Sequence, residues 1–168
     1  PSDPEEGNCQ LKDYPREMES GPTANLVSGQ LVACYGDTCE IYNGGGEWQH
    51  LVNISSTRQY HSSAVKDDDD RILLIGGWFS NSTEWIPVDG SPSQPGPFHV
   101  RHGHSHCTIQ LSSNLILVTG GDGSYNLVTS YHLSGNGDET PLTSLKQGRR
   151  KHACVVYQDA GGQQVRRL

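Results

Sequence analysis

Arg101-His102-Gly103-His104-Ser105-His106-Cys107-Thr108-Ile109, a polar turn at Ser112-Ser113-Asn114, then Leu115-Ile116-Leu117-Val118-Thr119-Gly120-Gly121: this stretch reads as strand, turn, strand, closed by a diglycine. An earlier stretch has the same plan. Arg58-Gln59-Tyr60-His61 leads into Ser62-Ser63-Ala64-Val65, an acidic turn from Asp67 to Asp70, and Ile72-Leu73-Leu74-Ile75 before Gly76-Gly77. A third Arg-x-x-His, at Arg149-Arg150-Lys151-His152, precedes the β-like run Val155-Val156-Tyr157. The two diglycines lie 44 residues apart, and self-similarity at such a period marks a repeat architecture.

Each diglycine is followed by a loop and a third apolar run, Thr83 to Val88 in one copy and Leu127 to Leu133 in the other. A fourth is expected near Phe98 and from Leu142 to Leu145. Residues 22–52 read as an earlier copy, with Leu31-Val32-Ala33-Cys34, a turn at Gly36-Asp37, Cys39-Glu40-Ile41-Tyr42 and a closing strand from Trp48 to Val52. Its Tyr35-Gly36 stands where the diglycine would be. Four short strands recurring at this period predict an all-β chain whose repeats are the four-stranded antiparallel blades of a β-propeller.

These residues resemble the kelch repeat: a diglycine ending the second strand (Gly76-Gly77, Gly120-Gly121), an aromatic in the third (Tyr42, Trp85 or Tyr131), a tryptophan near the fourth (Trp48), and Arg then His leading to the next blade. The resemblance covers about residues 22–158 and implies an incomplete kelch-type β-propeller. The expected division is a tail or end of a preceding blade at 1–21, a blade with a Cys34/Cys39 hairpin at 22–57, kelch blades at 58–100 and 101–148, and the first strand of a truncated blade at 149–168. Gly161-Gly162 falls at a hairpin turn rather than at the diglycine position, so the last blade is expected to be cut short. The Cys34/Cys39 hairpin and Gly-Gly-Trp78 resemble secreted animal members of the family.

Composition narrows the function classes. Twenty glycines and nine prolines with one methionine suit short strands joined by turns. A net charge of -7 argues against a nucleic-acid partner, because counterion release needs clustered Lys and Arg. No apolar run is long enough to insert in a bilayer.

A residue type recurring once per blade is expected to be structural, so Arg58, His61, Gly76, Gly77, Arg101, His104, Gly120, Gly121, Arg149 and His152 are assigned to tying blades together. Alternate histidines on one strand, His102, His104 and His106, could in principle hold a transition metal. His104 already has a repeat role and no carboxylate or cysteine pair is fixed nearby, so no metal or cofactor is expected. Asp67 to Asp70 lacks the ligand spacing of a calcium loop and reads as a solvated turn. Cys34 and Cys39 flank a four-residue turn and are a candidate disulfide; Cys107 and Cys154 read as small core residues, and Cys9 has no evident partner. Asn53-Ile54-Ser55 and Asn81-Ser82-Thr83 are N-glycosylation sequons, which together with the Cys hairpin point to an extracellular or secreted protein.

The function expected from the family resemblance is a non-catalytic module that binds a protein partner through inter-blade loops, here Trp78 to Thr83, Asp122 to Asn126 and Asp89 to Pro97. Trp78 and Phe79 are the candidate partner contacts. Two alternatives are a fragment of a galactose-oxidase-like copper-radical enzyme and an intracellular kelch substrate adaptor. Copper analysis with an oxidase assay separates the first from a binding module, and glycans on Asn53 or Asn81 would exclude the second.

Overall fold

The structure, a computed structural model, describes residues 23–27, 29–42, 47–66, 70–78, 80–134, 137–158 and 164–167; for 23–27, 62–66, 155–158 and 164–167 it describes the backbone alone. All regular structure among them is β. Four antiparallel sheets follow one another along the chain. The first holds β1 (Thr23–Val27), β2 (Gln30–Tyr42) and β3 (Trp48–Arg58); the second β4 (Ser62–Lys66), β5 (Arg71–Ile75), β6 (Ser82–Pro87) and β7 (Gln94–His99). The third holds β8 (Cys107–Ser112), β9 (Leu115–Thr119), β10 (Val128–His132) and β11 (Glu139–Pro141), and the last β12 (Val155–Gln158) and β13 (Gln164–Arg167). Within each sheet the strands lie in chain order.

In the first sheet β2 doubles back. Its Cys34 and Cys39 Cα atoms are 4.1 Å apart across five positions, whereas an extended strand rises about 3.3 Å per residue. The half before the turn pairs with β1 and the half after it with β3. β1 carries no apolar run or clean alternation. Its signal is Ser28-Gly29: Val27 pairs with Gln30 and Gly29 has φ +78°, the geometry of a two-residue hairpin.

Sheets stack face to face, and this explains the uninterrupted apolar runs. Ile72, Leu73, Leu74 and Ile75 are all fully buried, yet they divide by parity. Ile72 and Leu74 join Val32, Cys34, Ile41 and Ile54 of the first sheet, while Leu73 and Ile75 join Ile116, Val118 and Tyr131 of the third. β9 repeats the pattern, with Leu117 turned towards Ile109, Val128 and Cys154. Burying each such side chain contributes about 1.5–3 kcal/mol relative to leaving it exposed. The first strands of successive sheets also touch: β1 against β4, β4 against β8, and β8 against β12.

Two expected boundaries shift. The fourth strand of the third sheet is Glu139–Pro141, not Leu142 to Leu145; Leu142 and Leu145 continue beside it through backbone bonds to Val128 and Asn126. Residues 149–168, expected to hold the first strand of a truncated blade, a hairpin turn at Gly161-Gly162 and a weak start of a strand at Val165, hold the β12–β13 pair in register from Val155↔Arg167 to Gln158↔Gln164, because ladder pairing uses backbone groups and does not require the missing apolar run. The expected turn residues Asp67 to Asp69, Gly161 and Gly162, and Cys9, lie outside the described residues.

Candidate functional site: the loops at the diglycine end

The loops that enter each sheet and the loops that follow each diglycine lie at the same end of the strands. Tyr60, Ser105 and Lys151 all sit in the left-handed region, with φ of 53°, 59° and 50°, which is uncommon for residues with a Cβ. The Ser105 N–H donates to the Tyr60 carbonyl (2.8 Å) and the Lys151 N–H to the Ser105 carbonyl (2.9 Å), so one hydrogen-bond chain crosses three repeats. This fixes the register as Tyr60-His61, Ser105-His106 and Lys151-His152.

The expected pairing of Arg101 and His104 with Arg58 and His61 is therefore two residues out. By this register the counterpart of Arg58 is Gly103, and the counterpart of His61 is His106. Arg58 is fully buried; it donates to the Gly76 and Ser82 carbonyls at 2.9 and 2.7 Å and pairs with Glu84 at 3.2 Å. In the third sheet His102 takes over that tie: Nδ1 donates to the Gly120 carbonyl at 2.8 Å and Nε2 accepts from the Thr129 hydroxyl at 3.0 Å. Arg101 instead projects outward to Glu139, its side chain 73% exposed. Two overlapping Arg-x-x-His and His-x-x-x-His patterns in residues 101–106 made the sequence ambiguous, and only the backbone φ values separate them.

Each diglycine is wedged between the loop entering its own sheet and the loop entering the next. A Cβ on Gly77 would meet Arg58 and Gln59, and one on Gly76 would meet the Gly103 carbonyl and the His106 ring, both at 2.9 Å. Gly121 faces His102 and Gly120 faces Arg149 and His152 in the same way. Burial lowers the pKa of His61 to about 4, with the Arg58 charge adding to it, and that of His106 to about 3. Both rings are neutral members of the packing.

Outside these ties the same loops carry an aromatic shelf. Trp78 is 53% exposed, its backbone N–H held by the Gln59 carbonyl at 2.7 Å. Its ring stacks on His104, centroids 5.1 Å apart and nearly parallel, with Tyr60 tilted alongside at 5.5 Å. Lys151 Nζ lies 5.1 Å over the Tyr60 ring. His104 Nε2 is 3.8 Å from Asp122, which also receives the Tyr125 hydroxyl at 2.7 Å and Arg150 at 3.0 Å. The Tyr125 bond, then Arg150, hold the Asp122 carboxyl below its usual range. Phe79 lies outside the described residues. The Trp78 and Asp122 loops thus share this end, whereas the Asp89 connection lies at the opposite end, beside an open cleft of about 560 Å³ lined by Asp70, Arg71 and Gln94.

The three histidines of residues 102–106 do not converge. They precede β8 rather than lying on it; His102 and His106 turn inward with rings 6.1 Å apart, and His104 is committed to the shelf. Among the described residues no group of three or more His, Cys, Asp or Glu side chains is arranged to hold a metal ion. Cys34 and Cys39 are disulfide-bonded. Cys107 and Cys154, expected to be small core residues, are bonded as well: adjacent sheets stack with equivalent positions side by side, so cysteines at near-equivalent places in successive copies meet. That relation was the available signal. Asn53 and Asn81 are both exposed.

No protein-family model matches the chain, and no curated protein matches it in sequence. Solved structures do match it in fold. A chain described as the structure of YjhT superposes with a TM-score of 0.67 at 10% identity, over 77% of this chain and 53% of that one. The likeness is one of fold, and the chain spans about half the length of this neighbour.

Proposed function

We propose that the chain is a non-catalytic protein-interaction module built from kelch-type repeats, its stacked sheets being blades of a β-propeller and its partner bound by the loops at the diglycine end. The observation that carries this reading is the division of labour within those loops. Arg58, His61, His102, His106 and the glycines are consumed by ties between repeats, while Trp78, Tyr125 and their polar neighbours occur once and face solvent. Exposed aromatics beside arginine are the composition of interface anchors. Two disulfides suit an oxidising compartment, which with the exposed sequons at Asn53 and Asn81 favours a secreted or extracellular protein.

A displayed library of random peptides panned on the immobilised chain tests this. Peptides that hold the wild-type chain and release Trp78→Ala are the expected result. A library that yields none, or whose peptides ignore the substitution, would remove the case for this face.

A further inference from the structure

We infer that the shelf takes a short acidic peptide segment, seating an apolar or aromatic side chain on Trp78 and carboxylates on Lys151 and Arg149. This rests on the interaction reading above and adds the chemistry of the partner.

The charge distribution supplies the argument. Although the chain is net -7, residues 101–154 hold five cations, Arg101, Lys146, Arg149, Arg150 and Lys151, against three carboxylates. Two of those carboxylates are already engaged, Glu139 by Arg101 and Asp122 by Arg150. Among the described residues Lys146, Arg149 and Lys151 have no carboxylate within ion-pair distance, and all three are exposed. Lys151 is the nearest of them to the rings, at 5.1 Å from the Tyr60 centroid. Anionic groups drawn to these cations would arrive beside a flat apolar surface that is otherwise left in water.

Length follows from the extent of the shelf: the Trp78, His104 and Tyr60 rings lie 5.1 to 6.0 Å from one another and Lys151 lies 5.1 Å from Tyr60, a span that a segment of a few residues covers at about 3.3 Å per residue. The contacts also run in a row, Trp78 to His104 to the Asp122 carboxylate to Arg150, across the loops of successive repeats, which suits an extended backbone.

The test uses the full chain and fluorescein-labelled hexapeptides of alternating Glu-Phe, Gln-Phe, Lys-Phe and Glu-Ala, with a sulfated hexasaccharide as the competing anion, read by anisotropy. Glu-Phe is expected to bind at least about fivefold more tightly than the other three and to weaken as salt shortens the Debye length below about 10 Å. Trp78→Ala and Lys151→Glu should each weaken it about tenfold without moving the thermal midpoint. Equal binding of Gln-Phe, indifference to Lys151→Glu, or tighter binding of the sulfated sugar would overturn the inference. Neutral peptides selected from the random library in a Trp78-dependent way would overturn it too, while leaving the interaction reading intact.

Discussion

Arg58 shows how one residue can hold two repeats. Its guanidinium is fully buried and spends its donors on the Gly76 carbonyl, the Ser82 carbonyl and hydroxyl, and Glu84, which in turn accepts from the Ser55 N–H at 2.6 Å. Arg58→Ala leaves Glu84 buried without its counter-charge and should cost about 3–5 kcal/mol in urea unfolding; Arg101→Ala, a surface pair, should stay within about 0.5 kcal/mol. Similar losses for the two would mean the register is wrong. The buried histidines add a pH dependence. Unfolded, their imidazoles titrate near the ordinary value of about 6.5; folded, His61 stays neutral to about 4 and His106 to about 3. As pH falls below about 6.5 the unfolded chain binds more protons, so stability that is complete above that pH is lost progressively, by up to about 1.4 kcal/mol per pH unit for each ring. Between pH 6.5 and 5 the urea midpoint should fall in the wild type and fall less steeply in His106→Gln. Equal slopes would show that His106 titrates normally in the folded chain.

At the scale of elements, the strands most legible in the sequence are those buried on both faces. Ile72 to Ile75 and Leu115 to Val118 read as unbroken apolar runs because a sheet covers each side, and the diglycines that end them are conspicuous for the same reason: backbone from two loops closes on them. β1 was illegible because Thr23-Ala24-Asn25-Leu26-Val27 has neither a clean alternation nor an apolar run. The loops carried little signal, since the left-handed turn at Tyr60, Ser105 and Lys151 is a backbone property shared by three unrelated side chains. Gly120→Ala should destabilise by about 1–3 kcal/mol, since φ is +61° and the added methyl meets the Arg149 carbonyl and the His152 ring; full stability would contradict this packing. The Cys107–Cys154 bridge spans 47 positions and the Cys34–Cys39 bridge five. By loop-closure entropy their removal should cost about 4 and about 2 kcal/mol respectively, a ranking that paired Cys→Ala variants compared by denaturation would check.

Across the whole molecule, repetition separates support from recognition. The sheets and their ties form a frame in which the same loops recur, and what differs between copies is what those loops present: Trp78 with His104 and Tyr60 at one step, Asp122 with Tyr125 and Arg150 at the next. Trp78 is marked in the sequence by its place just after a diglycine and before polar residues, but the sequence does not show that His104 stacks on it, because the place of His104 in the repeat depends on a register only the backbone discloses. The most direct measurement is hydrogen exchange of the full chain with and without a peptide selected on it. Slowed exchange confined to residues 76–81, 101–106, 120–126 and 147–152 is the result expected. Protection centred on residues 88–94 at the opposite end, or spread evenly over the sheets, would contradict binding through the diglycine loops.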